Sequence, residues 1–268
     1  MTRFVSFIFR IRFQFLCVLA ATVIRAVCVF SDAEPLSDIV FVISLAVFGA
    51  LTAVPCFYKK SYAPAFSMPK SKAFGFLSYG LSFGLFADFI NRCVSAAQLL
   101  SDSAVFSTSL VIRVVTALSA LISSVYFIVI GLSLSGSRYD FKSLKLIHIM
   151  PILWAGFCIM EGFENAGANG INSLLKYVML SISLMFFYYS AREIDSEDGA
   201  MRISLVSSRL LTFTSFLYFA DTFFMSIKEK TLYGGFESTL ALTALFMLLY
   251  SFAFERNIII NTTENSIV

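Results

Sequence analysis

Eight apolar stretches, each bounded by charged residues, prolines or turn-forming polar residues, account for most of this chain. They run from Phe13 to Phe30, Ser37 to Tyr58, Ala73 to Leu100, Val105 to Leu134, Leu146 to Phe163, Leu174 to Ala191, Ile203 to Ile227 and Phe236 to Phe254. A helix needs about 20 apolar residues to cross a hydrocarbon core about 30 Å thick, and these runs have that length. Barrel strands would instead show alternation over about 10 residues, which is absent. In lipid every backbone N–H and C=O must be bonded internally, so apolar runs of this kind dictate helices. The predicted fold class is all-α: a polytopic transmembrane helical bundle of about eight spans, forming one integral membrane domain over residues 1–268.

Composition points the same way. With 58% apolar and 14% charged residues in 268 and a mean hydropathy of +0.83, the chain lacks the polar surface a water-soluble domain requires. The formal net charge is only +3, which argues against a nucleic-acid face. Five cysteines stand singly, at positions 17, 28, 56, 93 and 158, with no CxxC or other metal-ligand spacing. They read as small apolar packing residues, and no cofactor or metal is expected. The basic N-terminus leads straight into the first run without a convincing cleavage site, so the first span is expected to be retained.

Lys and Arg then orient the bundle. With the N-terminus inside, the inner segments hold Arg3, Arg10, Arg12, Lys59, Lys60, Lys70, Lys72, Arg138, Lys142, Lys145, Arg192, Arg202 and Arg256. The outer connections hold Lys176, Lys228 and Lys230. So one-sided a distribution predicts both termini in the cytoplasm. The expected location is the plasma (cytoplasmic) membrane. Aromatic and charged residues that close alternate spans, among them Phe254-Glu255-Arg256, read as interfacial anchors.

Ionisable residues within spans are where a membrane sequence carries chemical information, because each costs about 2.5–3.5 kcal/mol at the bilayer centre. Asp88 and Arg92 lie four residues apart, acid first, the favourable order on a helix. Gly80 and Gly84 continue the same stripe as a small-residue face that lets another helix approach, so Asp88 is expected to point into the bundle. Counted from a turn near Asp102 at 1.5 Å per residue, Arg92 lies about 15 Å down one arm and Arg113 about 16 Å down the other, so these groups are expected to meet. Glu161 and Asp221 fall in the same outer half. Asp88, Arg92, Arg113, Glu161 and Asp221 therefore form the candidate ligand-binding set, with Arg25 as a further candidate member. The alternative is that these residues form ion pairs that specify helix packing without binding anything, or reach out to the interface. His148, the one histidine, has no ligand partners at metal spacing and is expected at an interface.

Two catalytic motifs are missing: there is no HExxH and no acidic DxxxD pair. An intramembrane enzyme would have to use Asp88 or Glu161 as acid or base, and no catalytic residue is assigned. Two readings remain. One is a small-molecule or ion-binding membrane protein, a transporter or its binding subunit, with the outer arginines taking an anionic or zwitterionic ligand. The other is a non-catalytic scaffold or sensory subunit that meets a membrane-protein partner. The expected surroundings are the lipid bilayer in either case.

Overall fold

The computed structural model describes residues 2–30, 34–57, 71–103, 107–136, 147–164, 171–194, 200–229 and 236–264. The apolar runs appear as eight helices: α1 (Thr2–Phe30), α2 (Glu34–Ala53), α3 (Lys72–Ser103), α4 (Thr108–Ser135), α5 (Met150–Glu164), α6 (Ile171–Ile194), α7 (Ala200–Glu229) and α8 (Phe236–Glu264). Among the described residues there is no strand. Lys59, Lys60, Lys70, Arg138, Lys142 and Lys145, assigned above to the inner segments, lie outside the described residues.

Six helices contain stretches long and apolar enough to cross a membrane: Phe13–Phe30, Lys72–Ser101, Thr108–Ser135, Leu174–Arg192, Ala200–Lys228 and Thr239–Ile259. The second and fifth helices carry shorter apolar stretches, Ile39–Ala53 and Ile147–Phe163. Both stretches are bounded by the described residues, and α2 itself is 20 residues long. Helix α2 tightens into a 3-10 turn at Val54–Phe57, and α5 begins only after a 3-10 turn at Ile147–Ile149. Pro151 falls in the first turn of α5, where its missing N–H would have had no intrahelical acceptor. Large apolar side chains such as Leu19, Val27, Ile43, Phe76 and Phe83 point outward, which suits a protein whose solvent is hydrocarbon.

Helices α3 to α8 each pack on their neighbours in sequence, and α8 returns to α3, closing a ring of six. Helices α1 and α2 pack on each other and on α7, outside that ring. At the end where α3 begins, aromatic rings fill the interior. Tyr250 of α8 lies 5.0 Å from Phe74 and 5.2 Å from Phe127, and Phe186 of α6 lies 5.1 Å from Phe254. Hydroxyls join the walls at mid-depth: Ser82 to Ser124 at 2.9 Å and Thr212 to Ser251 at 2.8 Å. His148, in the turn that precedes α5, is buried between helices and meets Tyr126 edge-on at 4.9 Å.

The expected small-residue face of α3 is occupied by α8. Thr243 donates its hydroxyl to the Gly84 carbonyl at 3.0 Å. A Cβ at Gly84 would stand 3.0 Å from the Thr243 backbone, and one at Gly80 would stand 2.7 Å from the Phe246 ring. Close approach of this kind lets van der Waals contact and an interhelical hydrogen bond hold helices together where lipid supplies no hydrophobic drive between them. Gly84→Leu should therefore lower stability by about 1–3 kcal/mol through overpacking against backbone. Thermal unfolding followed by circular dichroism in detergent checks this, and an unchanged midpoint would contradict the α3–α8 contact.

Candidate functional site

Sequence spacing places Asp88 and Arg92 one turn apart on α3, and the structure joins them: Arg92 Nε donates to Asp88 Oδ2 at 2.7 Å. The same oxygen accepts a hydrogen bond from Trp154 Nε1 at 2.8 Å. The rest of the Arg92 guanidinium faces α5, where one terminal nitrogen bonds Glu161 Oε2 and the other donates to Cys158 Sγ at 3.1 Å. Glu161 Oε1 then stands 3.3 Å from Arg113 Nε of α4. The result is a chain of four alternating charges, Asp88–Arg92–Glu161–Arg113, spread over three consecutive helices of the ring.

Helical periodicity explains why α5 supplies three members. Trp154, Cys158 and Glu161 are separated by four and three residues, which puts them on one face, and that face looks at α3. The signal lay in the sequence, but Trp154 and Cys158 were apolar residues by type, and only the docking of α5 gives them polar work.

Arg113 sits differently from the expectation of equal depth. Helix α4 does not start at Asp102, because α3 runs on to Ser103 and Ser107 caps α4, its hydroxyl accepting from the Leu110 N–H at 3.2 Å. At 1.5 Å per residue, Arg113 is therefore about 8 Å into its helix, whereas Arg92 is about 16 Å and Asp88 about 22 Å from the end of theirs. Glu161 bridges the difference. Asp88 is fully buried at 0% and Arg92 nearly so at 1%, while the Arg113 side chain keeps 21% of its surface. The network thus grades from a deep carboxylate to a partly accessible guanidinium.

Asp221 belongs to a separate pair. Its Oδ1 accepts from Arg25 Nε at 2.6 Å, tying α7 to α1, and the Arg25 guanidinium lies 4.9 Å over the Phe41 ring of α2. The predicted five-residue set accordingly divides into four residues on α3, α4 and α5, and Asp221 on α7 with Arg25. Both Arg25 and Asp221 are buried, so neither reaches for the interface.

A third charged cluster was not anticipated. Glu255, read as an interfacial anchor, is buried at 1%. Its Oε1 accepts from Arg209 Nε at 2.8 Å and from a terminal nitrogen of the same guanidinium at 2.5 Å. Arg209 also reaches the Thr52 carbonyl at 3.4 Å, so α7, α8 and the end of α2 meet there. The correction has a simple physical cause: α8 continues helical to Glu264, which keeps Glu255 inside the bundle rather than at a helix end.

Two of the three clusters leave a buried carboxylate oxygen without a hydrogen bond among the described residues: Asp88 Oδ1 in the larger network and Glu255 Oε2 in the pair with Arg209. Most buried polar atoms in folded proteins have a partner. Asp88 Oδ1 is buried with none among the described residues, although Oδ2 of the same carboxylate has two donors. Arg113 Nε likewise makes no hydrogen bond, its 3.3 Å contact with Glu161 being an ion pair only. Both ends of the four-residue chain are therefore open, while its middle is closed. No group of three or more potential ligands among the described residues is arranged to hold a metal ion.

No family model matches the chain. Neither does any curated protein or solved structure.

The Arg209–Glu255 pair gives a direct measure of what buried charge costs in this fold. Arg209→Met alone should destabilise by about 3–5 kcal/mol, because it strands a buried carboxylate, whereas Arg209→Met with Glu255→Leu should recover most of that loss. Chemical unfolding of the two variants decides, and equal losses would mean that the residues do not act as a pair.

Proposed function

We propose that this protein is a multi-pass protein of the plasma membrane that binds a small molecule or ion at the Asp88–Arg92–Glu161–Arg113 network, as a transporter or its binding subunit. It crosses the membrane eight times with both termini in the cytoplasm. The arginine and lysine distribution supports this orientation. Under it the network opens toward the outer face, with Arg113 outermost.

One observation carries the binding reading: Asp88 presents a fully buried carboxylate oxygen that no described donor satisfies. Leaving a buried acceptor unbonded costs about 1–3 kcal/mol, more when it is charged. Glu255 Oε2 is buried and unbonded as well, and what sets Asp88 apart is that its network runs on to a partly accessible guanidinium through which a ligand could enter. Arg113, partly accessible and lightly held, is the matching opening at the other end.

The scaffold reading has its own support. Each described cluster balances its charge, one arginine to one acid in Arg25–Asp221 and Arg209–Glu255, and two to two in the larger network. Balance of that kind suffices to specify which helices pack together without a ligand.

Thermal stability of the purified chain against small anions, amino acids and vitamins separates the two. A ligand present at about 100 times its Kd should stabilise the wild type by about 2.7 kcal/mol and leave Arg113→Ala unaffected. If nothing stabilises the wild type while Arg113→Ala is grossly unstable, the network is a packing device. Reporter fusions at each terminus check the orientation: a reporter active only in the cytoplasm should be active at both ends.

A further inference from the structure

Three features of the network bear on what kind of ligand it accepts. The first is its charge. Within the ion-paired chain Asp88 and Glu161 balance Arg92 and Arg113, with Lys176 of α6 acting on Cys158 beside them, and a ligand carrying net charge would add to a low-dielectric interior a charge that the chain does not compensate, which is costly. A ligand of zero net charge avoids that cost.

The second is the chemistry of the two open ends. At the deep end, Asp88 Oδ1 accepts and needs a donor. At the shallow end, the Arg113 guanidinium donates and needs an acceptor, best an anionic oxygen. The third is distance. Arg92 and Glu161 stand between the two ends, so a ligand spanning them must separate its own opposite charges by several bonds.

Building on the binding reading above, we propose that the site accepts a zwitterion of separated charges, its ammonium seated on Asp88 Oδ1 and its anionic group on Arg113. The ligand's amine leads into the bundle and its acid trails toward the accessible end. Its carboxylate or phosphate releases Arg113 from the long contact with Glu161, while Glu161 keeps its bond to Arg92. Arg92 is then the fixed centre of the site, bonded to Asp88 and Glu161 whether or not a ligand is present. A free ω-amino acid and a zwitterionic lipid headgroup carry the same pair of charges, and both are tested.

A chain-length series acts as a ruler. The full-length protein in detergent is titrated by calorimetry with glycine, β-alanine, γ-aminobutyrate and ε-aminocaproate, with hexylamine and hexanoate as single-charge controls. A separate arm adds a phosphoethanolamine lipid to the micelles. Affinity is expected to rise with charge separation, and the longer amino acids should bind at least about tenfold tighter than either control. Arg113→Gln, at the partly accessible end where folding is least at risk, should reduce ε-aminocaproate to the affinity of hexylamine. Asp88→Asn should reduce it to that of hexanoate. Binding in the lipid arm alone, lost in Arg113→Gln, assigns the zwitterion to a membrane lipid. If hexylamine or hexanoate binds as tightly as any zwitterion, the proposed ligand class is wrong while the site remains a binding site. If no compound of any charge binds in either arm, the binding reading falls with it.

Discussion

Burying a guanidinium in a hydrocarbon-solvated bundle is the constraint on which this structure turns. Arg92 is 1% exposed, and such a charge is tolerated only when carboxylates and other acceptors surround it. Its three nitrogens meet Asp88 on its own helix and Glu161 and Cys158 on α5. That arrangement requires α5 to present one particular face, and α4 follows because Arg113 needs the remaining oxygen of Glu161. Three consecutive helices of the ring are thus placed by the neutralisation of one residue. Arg25 and Arg209 repeat the principle on α7, each finding a carboxylate on another helix.

Helix α7 is where the peripheral pair joins the ring. Arg209 bonds both Glu255 of α8 and the Thr52 carbonyl at the end of α2, and Asp221 bonds Arg25 of α1. The two attachments are about 18 Å apart along α7 at 1.5 Å per residue. Between them the contacts are apolar or hydroxylic, which sets no register by themselves. Polar bonds are directional, so a charged contact near each end of α7 determines how α1 and α2 lie against it. The glycine contacts on α3 act differently. They specify how closely helices approach, whereas the ion pairs specify which residues face one another.

Packing and function make different demands on the same network. For packing, closure is best: every charge balanced and every donor met. The Arg209–Glu255 pair is balanced in charge but leaves Glu255 Oε2 buried without a hydrogen bond. The α3–α5 network is balanced in charge yet open at Asp88 Oδ1 and Arg113 Nε, with accessibility increasing from the first to the second.

Helix number and helical class were legible in the sequence because they follow from run length and the rule that backbone groups in lipid bond internally. The inward direction of Asp88 was legible too, because Gly80, Gly84 and Asp88 share a stripe and small residues mark a helix contact. The Asp88–Arg92 bond is local, at a spacing that helical geometry brings together. What the sequence by itself left undecided were contacts between helices far apart in the chain. Asp221 could not be separated from the Asp88 group, because depth along a helix does not say which neighbour a side chain faces. Cys158 and Trp154 join the charged network through the docking angle of α5, and Glu255 is interior because α8 extends past it. Spacing along one helix determines which residues share a face; only the tertiary packing decides what that face meets, since rotation and register between helices depend on side chains from both at once.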